Sequence, residues 1–336
     1  MQRRQVLAAL GALLPAGCLG AKRPETASGV RTEGGFTQVN RTPTPESTPT
    51  PEPTETPEPT ETPEPTPSDE NVDAGDEAIE QVQSAFEAAV EAYTGSDDGA
   101  LADVSFTSGE FDVRTVLLEL DRVQSELAAA STAAVTDDQR DTIADLRVAE
   151  TFLTQAALAH SYFFESVDRL DTTHATFDED ADADDEIDAV SDAEERFDST
   201  LDRGSDRVST IKNDVDADAV PAAEPFDDDT YDDTVTLFET TRAVLDDASS
   251  GLDRMLQGLD EFQEAREEED DDDDDEAEDK ADEARELFDE AYDFFDDAAD
   301  AAGDADADDL ESLLEDLRDV ADERYTDADD FYDDVS

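Results

Sequence analysis

Residues 143–170, IADLRVAETFLTQAALAHSYFFESVDRL, decide the fold class. Ile143, Leu146, Ala149, Leu153, Ala156, His160, Phe163, Val167 and Leu170 recur every three or four positions, which places them on one face of a long α-helix. Such a stripe needs another apolar surface to cover it.

Outward from this run the same period returns. On its N-terminal side, Ile79, Val82, Phe86, Ala89, Val90 and Tyr93 form a stripe that GSDDG (95–99) ends. A second stripe runs from about Phe111 through Val116, Leu117, Leu120, Val123 and Leu127 to about Ala134, and Asp137 reads as the N-cap of the long helix. On the C-terminal side, DEDADADDE (178–186) separates a fourth helix with Ile187, Val190, Phe197, Leu201, Val208 and Ile211. Pro221 and Pro225 then break the pattern. A fifth helix, about 229–266, carries Val235, Phe238, Leu245, Leu252, Met255, Leu259 and Phe262. After the acidic block EEEDDDDDDEAED (267–279), a hairpin sets Leu287, Phe288, Ala291, Phe294, Phe295 and Ala298 against Leu310, Leu313, Leu314, Leu317, Val320 and Phe331. Strand-like alternation is scarce. The expectation is an all-α fold of about seven helices in antiparallel bundles. A sub-bundle over 76–215 and a second over 226–336 would meet at the proline segment, with 267–279 as a solvated loop or frayed helix end.

Charge describes the surroundings. The chain has 98 acidic residues against 22 basic ones, a net charge of -76. Self-repulsion on that scale opposes a compact state unless salt screens it. A disordered acidic chain is the alternative, but 37% of the residues are hydrophobic, 16 of them Phe, and they recur with helical spacing. Nucleic acid is excluded as a partner, since phosphate binding needs a basic surface.

Before the first stripe lies TPTPESTPTPEPTETPEPTETPEPTPS (42–68). Proline every two to four residues opposes helix and sheet and favours extended polyproline II, about 3.1 Å per residue. Residues 18–75 thus read as a Pro/Thr/Glu-rich spacer without a core of its own. Asn40, in Asn40-Arg41-Thr42, is an N-glycosylation sequon, and the linker threonines suit O-linked sugars.

The opening, MQRRQVLAALGALLPAGCLG, has the parts of an export signal over 1–17: charged Arg3 and Arg4, an apolar run from Val6 to Leu14, then Pro15-Ala16-Gly17 before Cys18. The apolar run is about half the length of a membrane span. The arginine pair points to the twin-arginine route. PAGCLG resembles a lipobox, with Pro15 standing where Leu is usual. The resemblance implies lipid attachment at Cys18, and the chain's single cysteine has no internal disulfide partner. Signal, acidity and linker together resemble exported surface lipoproteins of extreme halophilic archaea.

Catalytic patterns are scarce. There is no H-E-x-x-H, G-x-S-x-G or phosphate loop. His160 and His174 lie about 21 Å apart along one helix and cannot share a metal ion. DADADDLESLLE (304–315) places Asp304, Asp306, Asp308 and Glu315 at calcium-loop positions 1, 3, 5 and 12, but Asp309 occupies the position that needs Gly. A helix starting near Leu310 explains the same residues. The aromatic runs SYFFES (161–166) and DEAYDFFDD (289–297) either line a ligand pocket or fill a core. The expectation is a non-enzymatic lipoprotein without a cofactor, tethered to the outer face of the cell membrane, with a structural or interaction role beside another envelope protein. The alternative is an extracytoplasmic protein that binds a ligand or cation for a membrane partner.

Overall fold

The computed structural model describes residues 68–96, 99–106, 111–177, 183–270, 273–305 and 307–336, with the side chains of 183–186 and 270 left aside. These hold seven α-helices: α1 (Asp69–Thr94), α2 (Val113–Ala133), α3 (Asp137–Phe177), α4 (Ala183–Asp214), α5 (Thr230–Asp270), α6 (Asp274–Asp304) and α7 (Asp308–Val335). Short 3₁₀ turns cover Leu101–Asp103 and Ala217–Ala222. The described residues lie in one compact unit, and their buried side chains make one contiguous core. The all-α antiparallel architecture is the expected one.

The deciding stripe becomes the centre. α3 touches α1, α2, α4, α5, α7 and the 217–222 turn. Its apolar residues are buried on several sides, from Ile143 and Leu146 through Phe152 and Phe163 to Phe177. Its start differs in detail from the expected Asp137 cap. Thr136 Oγ1 accepts from the Gln139 backbone N–H at 3.2 Å, while Gln139 Oε1 accepts from the Thr136 N–H at 3.2 Å. This reciprocal pair is a capping box, and Asp137 is already helical. Gln139 also donates to the Val72 carbonyl at 2.8 Å and to Asp76 at 2.7 Å, and so clamps α1 to the α2–α3 turn. α1 therefore begins seven residues before the periodicity suggests, at Asp69, with Ser68 as N-cap. Its end is the expected one, with Gly95 in the left-handed region at φ 73°.

The proline segment packs inward. Val220, Ala223 and Phe226 are buried, and Phe226 meets Phe86 and Phe152 edge-on at 6.2 and 5.8 Å. Gln83 on α1 ties it down, donating to the Ala222 carbonyl at 2.8 Å and accepting from the Glu224 N–H at 2.9 Å.

The C-terminal helices zip by register. Apart from Ala299, the buried positions of α6 fall at 277, 281, 284, 288, 291, 295, 298 and 302, all Ala except Phe288 and Phe295. This alternating spacing of four and three is a heptad seam. The two rings lie on glycines of α5: Phe295 on Gly251 and Phe288 on Gly258. Arg254 pairs with Glu290 at 3.0 Å, and Lys280 with Glu261 and Glu264 at 2.6 Å. Arg285–Asp329 at 2.7 Å and Arg318–Asp296 at 3.0 Å fix α6 against α7 in the same antiparallel sense. The acidic block 267–279 is thus not a loop over most of its length. α5 runs on to Asp270 and α6 starts at Asp274, with Ala277 buried in the seam. Glu and Ala favour helix strongly enough to carry both helices into the charge run.

Candidate functional site

Arg3, Arg4, Cys18, Asn40 and Asp306 lie outside the described residues. Of the remaining calcium-loop positions, Asp304 is the last residue of α6, Asp308 the first of α7, and Glu315 lies two turns further along α7. Glu315 stands 3.9 Å from the Arg318 guanidinium. Among the described residues no group of three or more His, Cys, Asp or Glu is placed to hold a metal ion.

His160 sits at the middle of an aromatic cluster and is fully buried. Its Nε2 lies 3.3 Å from the Ser105 carbonyl, which only accepts, so Nε2 carries the proton. Nδ1 then accepts from the Tyr93 hydroxyl, also at 3.3 Å. Phe106 stacks on the imidazole at 4.4 Å between centroids, and Phe111 lies tilted at 4.2 Å. Burial pushes the imidazole pKa down to about 4, against a weaker upward pull from the Ser105 carbonyl. Burial also raises the Tyr93 phenol. The ring is therefore neutral at ordinary pH and away from solvent, and its work is to pin Ser105, Phe106 and Phe111 onto α1 and α3. The helical stripe reveals that His160 faces inward. Two of its partners, Ser105 and Phe106, come from an irregular segment, where no periodicity announces them.

A carboxylate cluster lies between α4 and α5. Burial and the charges of Asp198, Asp253 and Glu195 raise Glu194 to about 7, while Ser249 Oγ donates to Asp198 at 2.6 Å. In the folded protein Glu194 takes up a proton near neutral pH.

Open grooves mark the surface. One of about 540 Å³ follows the polar side of α4, past Arg203, Asp206, Arg207 and Asn213. A second, of about 250 Å³, is lined by Val90 from the end of α1, Leu101 from the 101–103 turn, and Phe226, Thr230 and Asp233 around the start of α5. A third, of about 260 Å³, has an apolar floor of Phe106, Phe164, Val167 and Leu313, rimmed by Asp168, Asp171 and Asp309. Its floor shares Phe106 with the His160 cluster, so a neutral histidine backs an aromatic surface facing carboxylates.

No helix among the described residues is long and apolar enough to cross a membrane. Comparison with protein-family models, curated proteins and solved structures finds no match to this chain.

Proposed function

We propose that this protein is a non-enzymatic lipoprotein of a halophilic archaeon, displayed on the outer face of the cell membrane with a structural or interaction role in the envelope. The supporting observation is how the helical unit is filled. Phe86, Phe152, Phe163, Phe197, Phe238, Phe288 and Phe295 are wholly buried within one continuous core, so these rings are committed to packing. The address rests on the Arg3-Arg4 pair, Cys18 and the proline-rich spacer. Stable anchoring through Cys18 would need two acyl chains, since one holds only weakly. Cell fractionation in molar salt tests the reading. The native chain is expected in the membrane fraction, and Cys18→Ser in the medium or as unprocessed precursor. A fully processed Cys18→Ser chain that stays on the membrane overturns it.

The groove between α3 and α7 favours a second reading, capture of a small organic cation. An aromatic floor under a carboxylate rim suits a quaternary ammonium group. Calorimetric titration with tetramethylammonium, on the native chain and on Asp168→Asn/Asp171→Asn, separates the two readings. Heat that disappears in the double variant supports the second.

A further inference from the structure

α2 departs from the surface rule of this protein. It carries Glu119, Asp121 and Glu126 against Arg114 and Arg122, whereas α6 itself carries fifteen carboxylates and two basic residues, Lys280 and Arg285. From Leu127 to Thr136 the chain has no charged residue at all. Burial explains the modest charge of α3, which is enclosed by its neighbours. It does not explain α2, which among the described elements touches only α1 and α3 and leaves its other side exposed. Val116, Leu120, Val123, Leu127 and Ala130 face the core. By helical spacing Arg114, Leu118, Asp121, Arg122, Ser125, Ala129 and Thr132 point the other way, and all are exposed. Leu118 is 62% exposed, the large hydrophobic side chain most open to solvent among the described residues.

We propose that this face is a self-association surface, on which two copies of the chain meet α2 against α2, antiparallel, about Ser125. Charge argues for the location. The other described helices carry at least five more acidic than basic residues each, so two copies meeting elsewhere would oppose carboxylates. The α2 face carries two arginines against one aspartate. Shape argues for a second copy as the occupant. The N-terminal half of the face is bulky, with Arg114, Leu118 and Arg122, and the C-terminal half is small, with Ala128, Ala129 and Thr132. A two-fold axis at Ser125 lays each bulky half on the other copy's small half, the self-complementarity that a closed dimer needs. It also brings each Arg114 to the far end of the other α2, whose last turn has no basic residue of its own to meet the helix dipole.

The 21-residue helix is about 32 Å long, and one helix face buries less than the roughly 1,000 Å² of a firm interface. The dimer is therefore weak, reversible and favoured by high salt, which screens the repulsion between the rest of the two surfaces.

Sedimentation equilibrium of the full chain in molar KCl, from micromolar to submillimolar protein, provides the test. The expected result is a monomer–dimer equilibrium that Ser125→Glu weakens by roughly tenfold or more, because it sets like charges together at the axis. Circular dichroism of the variant should match the native chain. In a Cys18→Ser background, Ser125→Cys is the sole thiol, and oxidation should link it into dimers far faster than Ser199→Cys on the exposed side of α4. A native chain that stays monomeric over the whole range overturns the proposal and leaves the face to another protein. A dimer indifferent to Ser125→Glu, or equal cross-linking from both thiols, also overturns it.

Discussion

His160 shows how one residue combines two requirements, an apolar position in the α3 stripe and a hydrogen-bonding node for an irregular connection. The first was legible in the sequence, because an inward position follows from spacing alone. The second was not, because Ser105 and Phe106 lie in a stretch with no period. The buried ring gives stability a definite pH dependence. Its folded pKa, about 4, lies below the unbound value of 6.5, so between these the unfolded chain binds the extra proton. Its contribution is present in full above pH 6.5 and is lost as pH falls toward 4. The loss amounts to about 3 kcal/mol at most. His160→Gln keeps a neutral polar group and removes this titration. In molar salt, where carboxylate repulsion is screened, the melting temperature of the native chain should fall more steeply from pH 6.5 to 4 than that of His160→Gln. Parallel profiles would show that the ring accepts its proton without cost to the fold.

Among the elements, α5 and α6 show why packing detail outruns periodicity. The stripes on both helices were readable, yet Gly251 and Gly258 carry no hydrophobicity signal. In the structure they are the holes for Phe295 and Phe288. A Cβ added at either glycine would stand 2.6 Å from a ring carbon, closer than packed atoms come. The acidic block 267–279 was left open for a related reason: a run of like charge suits either a solvated loop or a frayed helix end, and it is the helix-forming Glu and Ala that carry α5 and α6 into it. Glycine in a helix interior normally costs about 1 kcal/mol relative to alanine, so Gly→Ala should stabilise by that amount if space allowed. Here overpacking, typically 1–3 kcal/mol, outweighs it. Gly251→Ala and Gly258→Ala are each expected to lower stability by about 1–2 kcal/mol in denaturant titrations in high salt. Adding Phe295→Leu to Gly251→Ala should cost less than the two single changes summed, since the smaller side chain relieves the clash. Strict additivity would place the ring elsewhere.

At the scale of the whole molecule, the all-α architecture could be read from period and composition, whereas the route of the proline segment could not. Proline marks a break in helix, not whether the broken chain turns outward or, as with Val220, Ala223 and Phe226, into the core. Net charge sets the conditions under which the assembly holds together. Ion pairs such as Arg140–Asp137 and Arg196–Asp192 are mostly exposed pairs one helical turn apart, each contributing under about 1 kcal/mol. They cannot offset a net charge of -76. At about 0.1 M salt the Debye length is about 10 Å, enough for neighbouring helices to feel each other's carboxylates, and at 1 M it is about 3 Å. Stability of ordinary domains is about 5–15 kcal/mol, so small repulsions summed over that excess can exceed it. The helical unit is therefore expected to be folded in molar KCl and to lose helicity on dialysis to about 50 mM at neutral pH. Acidification should replace part of the missing salt. Glu194, with its pKa raised to about 7, takes up a proton near neutral pH, and the net charge falls toward zero as pH nears the isoelectric point of about 4.1. Loss of the His160 contribution below pH 6.5 acts in the opposite direction, so recovery at low salt should be greatest near pH 5 and incomplete. Circular dichroism across a grid of salt and pH checks both parts. Full cooperative structure at about 50 mM salt and neutral pH would show that the surface tolerates its charge without screening, and the halophilic reading would fall with it.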